Sequence, residues 1–399
     1  MARVVIAWEL GAGFGHLVPM AAIGTALRRR GHEVTMMLRP GARGAELLRA
    51  PGVAIEEQPA VPAPARTFSL SVNYSANLLR NGFWHSDTVR ARVASWRDAL
   101  VRQAPDLLIC DHAPSALLAT RGGAYPRVAI GTGFTVPPLA APMPSLQPWF
   151  AWPEARLAEA DREWLDAINE ALNAGGFIPL DSVASLFEGV NRLLCVEADL
   201  DHYAARPGDQ FLGTMEPPAA SLAPFPSPGP GLYVFVYLSP TNRFLQPVLR
   251  GLDQLGWPVI AYVGGQGAAA SLPAFKRITY LNEPADLSSL GRRCRLAITQ
   301  GGTMLASFLL KRDVPLLICP EDLEKAVLGF RLSRRGLART LNWFAPVPDD
   351  LVPTLEAISG ELNRMPARKS FAQRYAGVSS EEIATRAAEY CVDLMERSA

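Results

Sequence analysis

The chain has 399 residues, a formal net charge of +1, and 49% apolar residues against 19% charged ones. That length exceeds what one hydrophobic core ordinarily serves and suits two domains. With charges balanced and no stripe of arginines and aromatics, nucleic acid is excluded as an expected partner.

The opening residues carry no basic segment followed by a cleavable apolar one, and no apolar run approaches the ~18 residues of a membrane span, so the expected location is cytoplasmic. Cys110, Cys195, Cys294, Cys319 and Cys391 are scattered and lack C-x-x-C spacing. They are expected as small buried hydrophobes rather than as disulfides or zinc ligands.

The first predicted strand, Val4 to Trp8, runs into the segment GAGFGHLVP, Gly11 to Pro19. This is a glycine-rich turn that opens a helix and carries one imidazole, His16, at its mouth. Gly11, Gly13 and Gly15 let backbone approach a ligand, and a helix N-terminus aims unpaired N–H groups outward. A dinucleotide-binding loop would need a glycine where His16 stands, and an acidic residue at a strand end about 20 positions on is not evident. The helix ends in arginines at Gly31, and a second strand spans Glu33 to Leu38.

Further strands are predicted at Val53 to Glu57, Asp106 to Cys110 and Arg127 to Ile130, with helical stretches between them. From Thr132 to about Gly189 the chain is less regular and rich in Pro, Trp and Phe, turning helical over Glu154 to Asn173. Residues 216–231, EPPAASLAPFPSPGPG, cannot extend a sheet or helix and read as a linker. Strands follow at Leu232 to Leu238, Val259 to Val263, Arg295 to Thr299 and Val314 to Cys319, and a closing helix at about Ser379 to Arg397. Strands alternating with helices predict parallel sheets flanked by helices, a fold whose ligands gather at the carboxyl ends of the strands. The expected domains are 1–215 and 232–378, joined by the linker, with 379–399 as a terminal helix.

The G-x-G-H-x-x-P turn and the helix after it resemble the entry of family 1 glycosyltransferases. The segment from Cys294 to Leu332, with Gln300-Gly301-Gly302-Thr303 after a strand and Asp313-Val314-Pro315 before the next, resembles the donor signature of that family. The resemblance implies a GT-B fold: two Rossmann-like α/β domains whose parallel sheets face each other across a cleft, with the closing helix returning to the first domain. It also implies an inverting, metal-independent transfer of sugar from a nucleoside diphosphate of UDP or TDP type. The acceptor would be a hydroxyl-bearing, hydrophobic small molecule or lipid-linked compound, which leaves peripheral membrane contact open.

Asp111, at the end of the strand in PDLLICDHAP, matches the family's acid, and His16 its base. A carboxylate that fixes an imidazole tautomer and stabilises its protonated form makes the histidine a usable general base. The plain alternative makes both residues helix caps. Gly13 and Gly15 would border the donor, and Gly301 and Gly302 would seat its diphosphate on a helix N-terminus, with Thr303 as a hydroxyl donor. Three positions depart from the pattern: Gln300 replaces a His, Leu305 a Ser or Thr, and Phe308 a Glu that accepts ribose hydroxyls. Glu324 and Lys325 fall where an Asp or Glu and a Gln hold sugar hydroxyls. The plain reading of Lys325 is an ion pair with Glu321, four residues earlier.

Gly264, Gly265 and Gly267 follow a second-domain strand, as a cleft-lining or surface turn. Tyr280 to Pro284 falls where the family clasps the base, without its tryptophan. Phe83, Trp84, Phe134 and Trp149, with Phe68, Tyr74, Phe150 and Trp152, lie in segments that build the family's acceptor pocket or simply fill a core. His85 and His112 are spare imidazoles, His32 and His202 are expected to be structural, and no histidine pair has metal-ligand spacing. Two further readings stay open: a degenerate relative that binds a ligand or partner without catalysis, supported by Leu305 and Phe308, and an epimerase-like enzyme acting on a sugar nucleotide.

Overall fold

The computed structural model describes residues 1–40, 52–204, 206, 208–218, 222–226, 231–264, 272–291 and 293–398. Gly265 and Gly267, and parts of the proline-dense stretch 216–231, lie outside the described residues. The chain forms two compact units, Met1–Met215 with Ser379–Ala399, and Glu216–Val378.

The first unit is built on strands β1 (Arg3–Trp8), β2 (Glu33–Leu38), β3 (Ala54–Glu57), β4 (Leu107–Asp111), β5 (Arg127–Gly131), β6 (Val190–Leu194) and β7 (Gln210–Phe211). They form one sheet in the order β3-β2-β1-β4-β5-β6-β7, with every neighbouring pair parallel. Val4, Ile6, Leu107, Ile109 and Val128 are at most 1% exposed, as expected of strands covered on both faces. The unit's helices are α1 (Phe14–Arg29), α2 (Tyr74–Leu78), α3 (Ser86–Gln103), α4 (Pro114–Ala119) and α5 (Glu154–Gly175).

Two long loops of this unit are tied down by a buried carboxylate. Asp161 of α5 accepts hydrogen bonds from Asn73 Nδ2 (2.9 Å), Ser75 Oγ (2.5 Å) and the Met143 N–H (2.8 Å). The irregular, proline-rich run is therefore fixed through backbone and side-chain bonds where regular secondary structure is lacking.

In the second unit, β8 (Ala223–Pro224), β9 (Tyr233–Leu238), β10 (Val259–Val263), β11 (Ile278–Leu281), β12 (Ala285–Asp286), β13 (Cys294–Thr299), β14 (Leu316–Ile318) and β15 (Arg339–Thr340) alternate with α6 (Leu245–Gln254), α7 (Thr303–Lys311), α8 (Leu323–Arg334), α9 (Val352–Leu362) and α10 (Pro366–Tyr375). The main sheet runs β11-β10-β9-β13-β14-β15, again parallel throughout, and β8 pairs separately with β12. β14 is shorter than the sequence suggests. The Val314 N–H turns back to Leu309 O at 3.0 Å, and Pro315 has no N–H to give a ladder.

Helix α11 (Ser380–Ser398) completes the first unit. Ser379 and Glu382 cap its start reciprocally: the Ser379 N–H donates to the Glu382 carboxylate at 2.8 Å, and the Glu382 N–H to Ser379 Oγ at 3.2 Å. Ile383, Ala387 and Cys391 are buried along one face. Arg29 and Arg30, at the end of α1, pair with Glu381 and Glu389, both at 2.7 Å. All five cysteines are buried and free, with thiols pushed up by burial. No described helix is long and apolar enough to cross a membrane.

Candidate functional site

β1 and β4 are adjacent parallel strands, with Trp8 opposite Asp111 in register. The turn after one therefore meets the end of the other. Gly13, at φ +90°, is the residue before α1, and His16 stands in the first turn of that helix. His16 Nδ1 lies 2.8 Å from Asp111 Oδ1, with the imidazole 16% exposed and Asp111 fully buried. Neither residue is a helix cap: Gly13 precedes α1, Ala113 precedes α4, and neither helix has a side-chain cap. Burial raises the Asp111 carboxyl, while the charge and hydrogen bond of His16 pull it down.

The imidazole is held on two more sides. The Trp8 indole stacks on it with ring centroids 5.3 Å apart, and Trp8 Nε1 donates to Leu10 O at 2.7 Å. Against the other side lies Gly11, at φ +92°, whose carbonyl accepts from Arg39. Among the described residues, no atom comes within 4 Å of where a Cβ on Gly15 would stand.

The residues flanking this pair are also fixed. Glu9 is 6% exposed and accepts from the Ser115 N–H (2.7 Å) and Ser115 Oγ (2.6 Å), so a carboxylate from the β1 turn satisfies the N-terminus of α4. Burial raises its pKa against those bonds and the charges of Arg92 and Arg39. His112 adopts φ +43°, and its carbonyl accepts the Leu10 N–H at 3.0 Å. Burial holds its ring neutral, lowering the pKa to about 3. The contacts of Trp8 and Glu9 and the conformation of His112 escape sequence reasoning, since only the β1–β4 pairing brings Asp111, His112 and Ser115 up to the turn.

The aromatic residues expected at an acceptor pocket divide. Phe83 is fully buried, with the Arg92 guanidinium 5.1 Å from its ring centre, and is core. Trp84 is half-buried, and Arg66 lies over both Trp84 and Phe68. Phe134 is 8% exposed, packed on His202 at 5.7 Å between ring centres. Tyr74 is buried between His112 and Phe187. Trp149 and Trp152 are half-buried, whereas Phe150 is exposed. His85 caps α3, its ring accepting the Thr88 N–H at 3.2 Å.

In the second unit, Tyr237, Thr299 and Ile318 are neighbours across β9, β13 and β14. The residues just beyond them share one end of the sheet. Gly301 has φ +93°, where a Cβ would stand 2.7 Å from Ile318 Cγ2, so the turn needs glycine. Gly302 precedes α7 without a side-chain cap, leaving first-turn N–H groups available. Thr303 Oγ1 and Gln300 Oε1 are buried with no hydrogen-bond partner among the described residues. Leu305 and Phe308 are half-buried. The Arg312 guanidinium sits 3.5 Å from the Phe308 ring centre and is itself held by Glu216 at 3.1 Å.

At the β14 end, Asp322 caps α8 by accepting the Lys325 N–H at 3.0 Å, and its carboxylate also pairs with Lys325 Nζ. Glu321 lies 3.9 Å from the same ammonium, and Glu324 stands in the first turn of α8. Burial pulls the Lys325 pKa down, but the charges of Asp322, Glu324 and Glu321 outweigh it and the net shift is upward. Ser239 and Thr241, which sequence reasoning also misses, both donate to Glu321 Oε1. Their position directly after β9 is the signal that marks them. Among the described residues, no group of three or more His, Cys, Asp or Glu side chains is placed to hold a metal ion.

No family model matches the chain, and no curated protein matches it. Solved structures of glycosyltransferases share its fold. The glycotransferase of kitacinnamycin is 17% identical, with a TM-score of 0.69 over 100% of this chain and 98% of its own. The calicheamicin glycosyltransferase CalG4 is 18% identical, with a TM-score of 0.68 over 100% and 99%. The glycosyltransferase VinC, solved in complex with DTDP, is 17% identical, with a TM-score of 0.64 over 99% and 100%. The fold of this chain is that of GT-B glycosyltransferases, with parallel sheets in two Rossmann-like sets.

Proposed function

We propose that the protein is an inverting glycosyltransferase that moves a sugar from a nucleoside diphosphate to a hydroxyl group. The observation that carries this reading is the 2.8 Å contact between His16 Nδ1 and Asp111 Oδ1. With Nδ1 committed to the carboxylate, Nε2 is the atom that takes the proton of the acceptor hydroxyl. As that proton leaves, the acceptor oxygen forms a bond to the anomeric carbon, the bond from that carbon to the diphosphate breaks, and the diphosphate departs with the electron pair. Asp111 stabilises the imidazolium so formed.

On the second unit, the Gly301-Gly302 turn and the N-terminus of α7 supply N–H groups and the positive end of a helix dipole to the departing diphosphate. The Thr303 hydroxyl, without a partner among the described residues, adds one donor. The expected donors are UDP- or TDP-sugars, and VinC, of the same fold, was solved with DTDP. The expected acceptor is a hydrophobic small molecule or a lipid-linked compound, a reading supported by Trp84, Phe134 and Trp149 in the irregular, aromatic-rich segments of the first unit.

A second reading, a ligand-binding relative that has lost transfer, draws on Phe308. Its ring lies under Arg312, where the resemblance places a ribose-binding carboxylate, and such a loss costs about 1–3 kcal/mol of donor binding if uncompensated. Incubation with UDP- and TDP-sugars and a panel of phenolic and aliphatic alcohols decides between them. Donor consumption that His16→Ala abolishes in a folded protein supports transfer. Binding of an acceptor-like compound with no nucleotide bound and no sugar consumed supports the second reading.

A further inference from the structure

Just beyond the ends of β9 and β14, two hydroxyls and an ammonium surround one carboxylate. Ser239 Oγ and Thr241 Oγ1 lie 2.9 Å apart and both donate to one oxygen, Glu321 Oε1, at 2.7 Å from Thr241 and closer from Ser239. Lys325 Nζ stands 3.9 Å from the other oxygen, Oε2. Thr241 is exposed, and Ser239, Glu321 and Lys325 are half-buried, so solvent reaches the group.

Register ties this group to the glycine turn. Ser239 lies two residues past Tyr237, Gly301 two past Thr299 and Glu321 three past Ile318, and those three strand residues are neighbours across the sheet. A Cβ at Gly301 would stand 3.4 Å from Lys325 O and 3.5 Å from Lys325 Cβ, which places the turn against the start of α8. A separate observation comes from the turn beside this group: Thr303 is 9% exposed and its hydroxyl has no partner among the described residues.

We propose that the Glu321 carboxylate occupies the place of an incoming phosphate group, on the Ser239–Thr241 hydroxyl pair beside Lys325, and acts as an internal competitor that sets donor affinity. The proposal rests on the reading of the second unit as the donor site. Two hydroxyl donors and the Lys325 ammonium, which Asp322 also holds, suit a phosphate oxygen as well as a carboxylate one. When phosphate arrives, the like charge of Glu321 makes the two anions exclude one another. Glu321 must rotate off the hydroxyls, and on return it assists departure of the diphosphate product.

The test is calorimetric titration of the full-length protein and its Glu321→Gln, Ser239→Ala and Thr241→Val variants with UDP, TDP and inorganic pyrophosphate, with melting curves run alongside. Glu321→Gln keeps the shape and removes the charge. It is expected to tighten nucleoside diphosphate binding about fivefold or more, the size of one like-charge contact at ~4 Å in a water-like medium. Ser239→Ala and Thr241→Val are expected to weaken binding, an effect that hydroxyls serving only to hold Glu321 in place would not produce.

Wild-type binding of UDP or TDP that Glu321→Gln leaves unchanged or weakens overturns the proposal and leaves the donor site standing. If neither protein binds a nucleoside diphosphate but Glu321→Gln binds pyrophosphate more tightly than wild type, the anion site stands and the donor reading fails. If no anion binds to either protein, both fail.

Discussion

The Nε2 edge of His16 faces Gly11 so closely that a Cβ built on Gly11 would stand 2.2 Å from that nitrogen and 2.8 Å from Cε1. The glycine-rich turn thus closes over the atom that receives the proton in the proposed reaction. Gly11→Ala adds a methyl group at this point and also requires φ +92° of an L-residue, which costs about 1–2 kcal/mol. Its expected result is a displaced imidazole, a separated His16–Asp111 pair and a rate reduced on the order of 10², with only a modest fall in melting temperature. Full activity in Gly11→Ala would show that Nε2 does not work in this position.

Removal of the base and of its partner are distinguishable. His16→Ala is expected to lower transfer by about 10² to 10⁴ while most donor binding is retained, because the proposed diphosphate contacts, Gly301, Gly302 and Thr303, lie on the other unit. Asp111→Asn keeps the hydrogen-bond geometry and removes the charge that stabilises imidazolium, so it is expected to lower kcat with little change in KM. Steady-state kinetics with both substrates varied makes the separation. An Asp111→Asn enzyme with wild-type kcat would reduce the carboxylate to a structural role.

His112 gives stability a pH dependence whose sign follows from burial. In the folded chain its pKa is lowered from 6.5 to about 3, so between those values the unfolded chain binds a proton that the folded chain does not. Stability is therefore lost as pH falls below about 6.5, by up to ~1.4 kcal/mol per pH unit from this group. His112→Asn removes the titration and keeps a residue type that tolerates φ +43°. Denaturant midpoints at pH 7.5 and 4.5 are expected to differ less in the variant than in the wild type. Equal differences would place the acid sensitivity elsewhere.

The central sheet-forming runs are legible in the sequence because β1, β4, β9 and β13 are buried on both faces, which writes them as near-continuous apolar text. The same logic leads to His16 and Asp111, since side chains at the ends of adjacent parallel strands share an edge. What stays hidden depends on contacts between distant segments. Nothing local in Glu9 announces its hold on Ser115, 106 residues away, and nothing in Ser239 announces Glu321, 82 residues on. Phe83 reads like its neighbour Trp84, but the fold buries one completely and half-exposes the other. The two-residue strands β7, β8, β12 and β15 carry too little pattern to be seen before their partners are in place.

Thr303 separates a structural requirement from a binding one. Its hydroxyl is buried without a partner among the described residues, an arrangement that stabilises nothing and leaves a polar group desolvated. Thr303→Val keeps the branched shape and removes that group, so the variant is expected to melt at the wild-type temperature or slightly above it. The same hydroxyl at the N-terminus of α7 is a donor to phosphate in the proposed complex, and its loss there is expected to weaken nucleoside diphosphate binding by about 1–3 kcal/mol. Melting curves with and without saturating TDP measure both quantities in one sample, because a ligand that binds only the folded state raises the midpoint according to its affinity. If Thr303→Val lowers stability without TDP and leaves the TDP-induced shift intact, the hydroxyl serves the fold, and the diphosphate is held without it.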